Sequence, residues 1–451
     1  MAQRKTAAVI LAAGKGTRMK SALPKVMHPL AGRPMVKHLL AAVDAAKLDR
    51  SVIVIGPEME SVAQAVAPVP SAVQRDRLGT GHAVLCAKDA LAGFAGDVLV
   101  LYGDTPLLTP ETLGRVMQAR SDGAAVVVLG FEPVDPAAYG RLVLDPKGGL
   151  DAIVEYKDAT PQQRAIRLCN SGVMAADAKL LFDLLSKVRN DNAKGEYYLT
   201  DVVALARGQG LPCAVVRAPE EELLGVNSRG EQAVAEAVIQ TRLRNRAMEN
   251  GATLIDPSSV FFSVDTQLGQ DVTVGPNVVF GPNVTVADGV QIRAFCHIEG
   301  AKIGKGSIVG PFARLRPGAV LQEDVHIGNF VEVKATIVET GAKANHLTYL
   351  GDARVGAGAN VGAGTITCNY DGFLKSLTDI GAGAFIGSNS ALVAPVKIGD
   401  GAIIGAGSVI TKDVPADALA AARGDMRVVP GWAKPYRERK KAEKAARKKG
   451  S

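Results

Sequence analysis

The chain is short of cysteine, of aromatic residues and of long apolar runs. Its five cysteines, Cys86, Cys169, Cys213, Cys296 and Cys368, are odd in number and scattered. No two have zinc-ligand or Cys-x-x-Cys spacing, so reduced thiols in a cytoplasmic protein are expected. No apolar stretch is long enough to span a bilayer. Arg4-Lys5 ahead of Ala7–Ala13 has the outline of a signal peptide, but Gly14-Lys15-Gly16-Thr17-Arg18 follows at once, without a small-residue cleavage site. The basic balance is also local. Of a net charge of +7, residues 431–451 supply nine Lys/Arg against two Glu, which leaves the remainder formally neutral. No nucleic-acid partner is therefore expected, and the tail with Lys440, Lys441, Lys444, Arg447, Lys448 and Lys449 reads as a solvated end.

What the chain has is a repeat. An aliphatic residue, usually followed by Gly, recurs every sixth position from Leu268 to Ile410. The register runs Leu268, Val274, Phe280, Val286, Ile292, Ile298, slips by one to Ile303, and continues Val309, Leu315, Leu321, Ile327, Val333. It resumes at Val355 and Val361 and returns as Ile380, Ile386, Leu392, Ile398, Ile404, Ile410. This period fits neither a helix nor an alternating strand. A short fixed repeat buries its apolar residue only by stacking on its neighbours. One inward aliphatic per six residues predicts a triangular coil of short strands, a parallel β-helix. Two apparent interruptions, Lys334 to Leu350 and Thr367 to Lys375, are expected as loops forming a binding surface.

The 451 residues suggest two or three domains. Upstream of the repeat, residues 7–12 read as a buried strand feeding a Gly-rich loop, Leu11 to Met19, then Leu23-Pro24-Lys25. Backbone N–H groups in such a loop can hold phosphates. The loop is neither a Walker A motif nor the three-glycine dinucleotide fingerprint. Apolar runs at Ser51–Ile55 and Asp97–Tyr102, with helical character at Pro34–Ala46, predict an α/β domain with a mostly parallel sheet. Asp104 then falls at the carboxyl edge of that sheet, where ligands bind. It is either a ligand for nucleotide-bound Mg²⁺ or a turn residue before Pro106. Ser228 and Glu231 have capping-box spacing, and Gln232–Glu249 is rich in helix formers. The expected domains are 1–227, a linker helix 228–250, the solenoid 251–430, and the tail 431–451.

The motifs Leu11-Ala12-Ala13-Gly14-Lys15-Gly16-Thr17-Arg18-Met19, Gln74, Leu78-Gly79-Thr80-Gly81-His82-Ala83, Tyr102-Gly103-Asp104, Tyr139-Gly140-Arg141, Ile153 to Ala159 and Asn170-Ser171-Gly172 resemble, in order, the sugar-nucleotide pyrophosphorylases. The solenoid adds Arg314 to Gly318, His346 to Asp352 and Thr365 to Gly372. Together they resemble the family of bacterial bifunctional enzymes that join N-acetylglucosamine-1-phosphate uridylyltransferase to glucosamine-1-phosphate N-acetyltransferase. The resemblance implies a Rossmann-like α/β nucleotidyltransferase domain and a left-handed parallel β-helix of hexapeptide repeats. It implies synthesis of UDP-N-acetylglucosamine, a precursor of peptidoglycan and lipopolysaccharide, and assembly as a homotrimer.

In the first domain the resemblance implies that Leu11, Ala12, Ala13 and Gly14 supply backbone contacts and that Arg18 and Lys25 offset phosphate charge. Gln74, Gly79 and Thr80 would read the uracil of UTP. Tyr102, Gly103, Gly140, Glu155 and Asn170 would line the sugar pocket, and Asp104 with Asn227 would hold Mg²⁺. In the second domain it implies that His346 is the base for acetyl transfer from acetyl-CoA, a task that suits an imidazole. Arg316, Lys334 and Lys375 would grip the sugar phosphate. Tyr349, Asn360 and Tyr370 would shape the sugar site, and Asn369 would orient the amine. Ala363, Ser388, Ala406 and Arg423 correspond to acetyl-CoA contacts. Glu332 is either a partner orienting His346 or a solvated carboxylate, whereas His326 and His297 are expected to be structural. Two rivals stay open at this stage: a pyrophosphorylase on a purely structural solenoid, and a non-catalytic scaffold. The polar set around His346 opposes the first, and Arg18, Lys25, Asp104 and Asn227 oppose the second.

Overall fold

A computed structural model describes residues 4–136, 139–192 and 195–449, with side chains to residue 442. Residues 1–3 and 450–451, and the side chains of Lys444, Arg447, Lys448 and Lys449, lie outside the described residues. The chain divides into two compact units, one running to Glu249 and including Phe261–Asp265, the other formed by the rest.

The first unit is built on strands β1 (Thr6–Leu11), β2 (Arg50–Ile55), β3 (Ser71–Val73), β4 (Asp97–Tyr102), β5 (Val126–Phe131), β6 (Arg141–Leu144), β7 (Leu150–Val154), β8 (Cys169–Asp177) and β9 (Cys213–Arg217). The main sheet runs β9-β5-β8-β4-β1-β2-β3. Its pairs are parallel except those of β8, which is antiparallel to β4 and β5. The β6–β7 hairpin attaches to β8 through Arg141 and Cys169. Ala7, Val9, Val52, Val54, Val98 and Val100 pack into a cluster on one face of this sheet. Ala8, Ile10, Ile53, Ile55, Leu99 and Leu101 pack into a second cluster on the other. Successive side chains of a strand point to opposite faces. Burial of both faces is why these strands read as continuous apolar runs.

The capping signature before the long helix forms with one change. Ser228 Oγ accepts from the Glu231 N–H at 3.3 Å, but the Glu231 carboxylate accepts from the N–H of Asn227, at 2.7 Å, rather than of Ser228. The helix runs Arg229–Glu249. Its buried Gln240 donates to the Phe262 carbonyl at 2.7 Å and accepts from the Phe262 N–H at 2.8 Å. Those two bonds tie Phe261–Asp265 to the first unit.

The second unit is a parallel β-helix. Val274, Ile292, Val309, Ile327, Ala344 and Val361 pair in succession up one ladder, so each coil takes 17 or 18 residues and three hexads. The ladder continues to Ile386 and Ile404. The inward side chains along it are buried. The structure corrects one expectation here. Lys334 to Leu350 is no loop: Glu332–Val338, Lys343–His346 and Tyr349–Val355 are strands in register with their neighbours. Val338, Ala344 and Leu350 are the buried inward residues. Two one-residue slips and a small alanine concealed the hexad. The second interruption is a true insertion. The Ser376 N–H donates to the Asn369 carbonyl at 2.9 Å and closes it. Inside, the Asp371 carboxylate accepts from the N–H groups of Phe373 and Leu374 at 2.8 and 2.7 Å. The basic tail is helical over Ala433–Lys449.

Candidate active sites

In the first unit the carboxyl ends of the strands open into a cavity of about 260 Å³. Leu11 to Gly14, Lys25, Gln74, Gly79, Thr80, Tyr102 and Asp104 line it. Strand order explains the gathering: β1, β2, β3 and β4 are neighbours, and each delivers its exit loop to the same edge. Gly16 has φ 63°, and a Cβ there would lie 2.6 Å from the Cβ of Lys25. Glycine thus lets the loop close on the lysine. Gln74 Nε2 donates to the Gly79 carbonyl at 3.0 Å, which ties two of the three expected uracil contacts together.

Lys25 carries the main electrostatic feature. Its ammonium donates to the Asp104 carboxylate and, at 2.9 Å, to Asn227 Oδ1. The two oxygens expected to hold a metal therefore converge on one cation already. Among the described residues no group of three or more His, Cys, Asp or Glu is placed to hold a metal. A hard cation here would rest on these two oxygens, nucleotide phosphates and water, the usual manner of Mg²⁺. The donor set fits that ion.

Burial raises the Tyr102 phenol above its ordinary range, helped by the carboxylates of Asp104 and Glu155. It stays neutral, a hydrogen-bonding group and not a base. The Tyr102 ring lies against Gly172, two residues from Asn170. The Asn170 N–H donates to the Gly140 carbonyl at 2.8 Å, so the expected sugar-pocket residues adjoin one another. Glu155 lines a separate cavity of about 330 Å³ with Asp158, Tyr198 and Asp201. Arg18 is exposed on the turn Thr17–Met19 and does not line the 260 Å³ cavity.

In the solenoid, the expected acetyl-transfer residues form two groups. The first is a column up one corner. Leu347 N–H donates to the Asn329 carbonyl, Gly364 N–H to Leu347, Asn389 N–H to Ala363 and Gly407 N–H to Ser388. Asn329, His346, Ala363, Ser388 and Ala406 thus occupy equivalent positions in successive coils. The side chain of Arg423 flanks Gly405 and Gly407, beside Ala406. The imidazole of His346 is exposed. Its Nδ1 bonds Asn329 Oδ1 at 2.9 Å. Glu332, offered as one partner for His346, instead pairs with Arg316 at 2.8 Å and lies 3.9 Å from Arg314.

The second group is cationic. Lys334 lies 3.6 Å from Asp352, and the Asn369 amide also donates to that carboxylate. Lys334 and Lys375 adjoin one another. The Lys334 charge beside it pushes the Lys375 amine below its ordinary range. Contact with Lys375 and the Asp352 carboxylate hold Lys334 above it. Two ammonium groups held side by side form a ready site for an anion. Tyr349 is the ladder neighbour of Glu332. Asn360 stands in the ladder above Lys343, and Tyr370, on the insertion, donates to the Gly372 carbonyl at 2.6 Å.

Two family models match the chain: a MobA-like NTP transferase domain over residues 8–170, and the bacterial transferase hexapeptide (six repeats) over residues 265–300 and 378–412. The chain is 64% identical over 447 residues to the bifunctional protein GlmU of Paramagnetospirillum magneticum, covering 99% of each. It is 68% identical over 435 residues to the bifunctional protein GlmU of Rhodospirillum rubrum, covering 96% of this chain and 97% of that one.

The chain belongs to the GlmU family.

As a GlmU-family chain it joins a nucleotidyltransferase, in the α/β unit, to a hexapeptide transferase, in a left-handed β-helix. Sequence reasoning missed three members of these sites. Arg77 donates to the Ala13 carbonyl at 2.9 Å and lines the nucleotidyltransferase cavity, with only the run Arg75-Asp76-Arg77 to signal it. Asp352 joins Lys334 to Asn369 from a left-handed backbone position, φ 46°. Asn329 lies 17 residues before the histidine it touches, a separation meaningful only once the coil length is known.

Proposed function

We propose that this chain makes UDP-N-acetylglucosamine in two steps. The solenoid acetylates glucosamine 1-phosphate with acetyl-CoA, and the α/β unit then transfers UMP from UTP to the product, releasing pyrophosphate. The observation that carries the reading is that the solenoid holds both the exposed imidazole of His346, in its corner column, and the adjoining cations Lys334 and Lys375. A structural solenoid has no use for either.

In acetyl transfer the substrate phosphate binds Lys334, Lys375 and Arg316, which fixes the sugar through its far end. The Asn369 Nδ2 donates to Asp352 and leaves its Oδ1 free to accept from the 2-amino group. His346 Nε2 takes the proton as the amine nitrogen bonds the thioester carbonyl carbon. The C–S bond breaks and CoA leaves as its thiol. Ser388, in the same column, would donate to the developing oxyanion.

In nucleotidyl transfer a phosphate oxygen of N-acetylglucosamine 1-phosphate attacks the α-phosphorus of UTP. Lys25 and Arg18 offset charge, and the backbone of Leu11 to Gly14 cradles the phosphates. Gln74, Gly79 and Thr80 take the uracil, while Tyr102, Gly140, Glu155 and Asn170 take the sugar. Bound Mg²⁺ would neutralise charge on the triphosphate, held by Asp104 and Asn227. The outward stripe Phe385, Ile403 and Leu419 of the solenoid is apolar and exposed. That supports association with further copies of the chain, as a homotrimer. No helix among the described residues is long and apolar enough to cross a membrane. The free cysteines fit a cytoplasmic location.

The test is a product assay with glucosamine 1-phosphate, acetyl-CoA, UTP and Mg²⁺, omitting one component at a time. UDP-N-acetylglucosamine should form only in the full mixture, with thiol released even without UTP. His346→Ala should abolish thiol release and spare uridylyl transfer; Asp104→Ala should do the reverse. Loss of both activities in either folded variant would sink the two-site reading.

A further inference from the structure

We propose that Asn329 is the positioning residue of the acetyl-transfer site: its amide oxygen fixes His346 in the tautomer that leaves Nε2 free as the base. The inference rests on His346 acting as that base and goes one step further, to what sets its polarity.

Five observations converge on it. Asn329 and His346 are partners in the parallel ladder joining His326–Asn329 to Lys343–His346, so their side chains leave the coil on the same side. Asn329 Oδ1 lies 2.9 Å from His346 Nδ1. A carbonyl oxygen only accepts, so Nδ1 carries the hydrogen and the lone pair belongs to Nε2. The coils are held close at this point by Gly328, where a Cβ would fall 1.9 Å from the Asn345 carbonyl oxygen. The backbone of His346 is pinned as well: the Thr348 hydroxyl donates to its carbonyl at 2.7 Å, and the Leu347 N–H donates to the Asn329 carbonyl at 3.0 Å. The Glu332 carboxylate has its bond at Arg316.

The consequence is chemical. When Nε2 takes the amine proton, the imidazolium keeps its Nδ1–H on a neutral amide oxygen. No carboxylate stabilises that cation through Nδ1, so the proton passes on to the leaving thiolate without a counter-charge to hold it. An imidazole with the opposite tautomer would present an N–H to the amine and have no lone pair to offer it.

The test uses full-length protein carrying ¹⁵N-labelled histidine, of which the chain has six. The His346 signals are assigned by their loss in His346→Ala, and the wild type should show the hydrogen on Nδ1. In Asn329→Leu the hydrogen should redistribute to Nε2, with kcat for acetyl transfer falling roughly 10- to 100-fold, both KM values within about threefold, and uridylyl transfer unchanged. Asn329→Asp keeps an acceptor and should keep the tautomer and most of the rate. Its acidic limb of kcat/KM should move to higher pH, because a carboxylate beside an imidazole favours the charged form. A wild-type tautomer and kcat in Asn329→Leu, or an unmoved limb in Asn329→Asp, would overturn the proposal. Normal acetylation by His346→Ala would instead overturn the assignment of the base itself.

Discussion

Replacing Lys25 with Met removes the ammonium that Asp104 and Asn227 share. The pair is largely shielded, with side-chain exposures of 13% for Lys25 and 18% for Asp104. Charge-assisted hydrogen bonds of this kind contribute about 1.5–3 kcal/mol. A unit charge about 4 Å from a phosphate contributes about 4 kcal/mol at an effective dielectric constant near 20. A transition state that loses about 2–4 kcal/mol slows roughly 30- to 1000-fold. We therefore expect Lys25→Met to lower kcat/KM of uridylyl transfer by that factor while thiol release from acetyl-CoA is unchanged. A second readout separates the charge from simple disruption. With the ammonium gone, Asp104 and Asn227 lose a competitor, and the nucleotide-free protein should bind Mn²⁺ more tightly than wild type in a direct titration. A loss under about fivefold, or an unaltered Mn²⁺ affinity, would show that Lys25 is not the cation these oxygens hold in solution.

Asp352→Ala should free the Asn369 amide and release Lys334, lowering kcat/KM of acetyl transfer at least roughly tenfold; a change below twofold would remove Asp352 from the site. Lys375 loses its proton at a lower pH than an ordinary lysine, near 10.4, because Lys334 sits beside it. Its phosphate-gripping, charged form therefore persists only below that lowered value. The alkaline limb of kcat/KM for glucosamine 1-phosphate should lie below the ordinary lysine range, and Lys334→Met should move it upward. A limb that stays put in that variant would count against the pair. Truncation after Tyr436 should leave both activities measurable, and complete loss would give the helix Ala433–Lys449 a structural role.

Much of this architecture could be read before any coordinates. The apolar runs at Ser51–Ile55 and Asp97–Tyr102 are strands to within a residue, because strands buried on both faces carry an unmistakable composition. The hexads gave the β-helix for the same reason. Where a coil substitutes a small residue, the signal fades: Ala344 is as buried as any valine, yet it hid a whole coil inside an apparent gap. Segment Phe261–Asp265 packs with the first unit through bonds of its backbone to Gln240, Ala31 and Arg246, which leave no trace in composition. The sites divide similarly. The structure brings together most of the residues given a role. Arg77 and Asn329, outside the motifs, and Asp352, inside one but given no role, act on residues 17 or more positions away through bonds of their own. Glu332, offered as one partner for His346, is held instead by two arginines.

The coil length supplies a reading rule of its own. In a chain that winds three hexads to the turn, side chains that touch across coils are about 17 or 18 positions apart, as Asn329 is from His346 and Asp352 from Asn369. Pairwise contacts can then be sought with a ruler laid on the sequence, as helical pairs are sought at three and four. The ruler also sets the mutational grammar of the unit. Deleting one residue between Asn329 and His346 would advance every later position of the corner column by one step and dissolve the register. Excising a whole turn elsewhere would return each column to its phase.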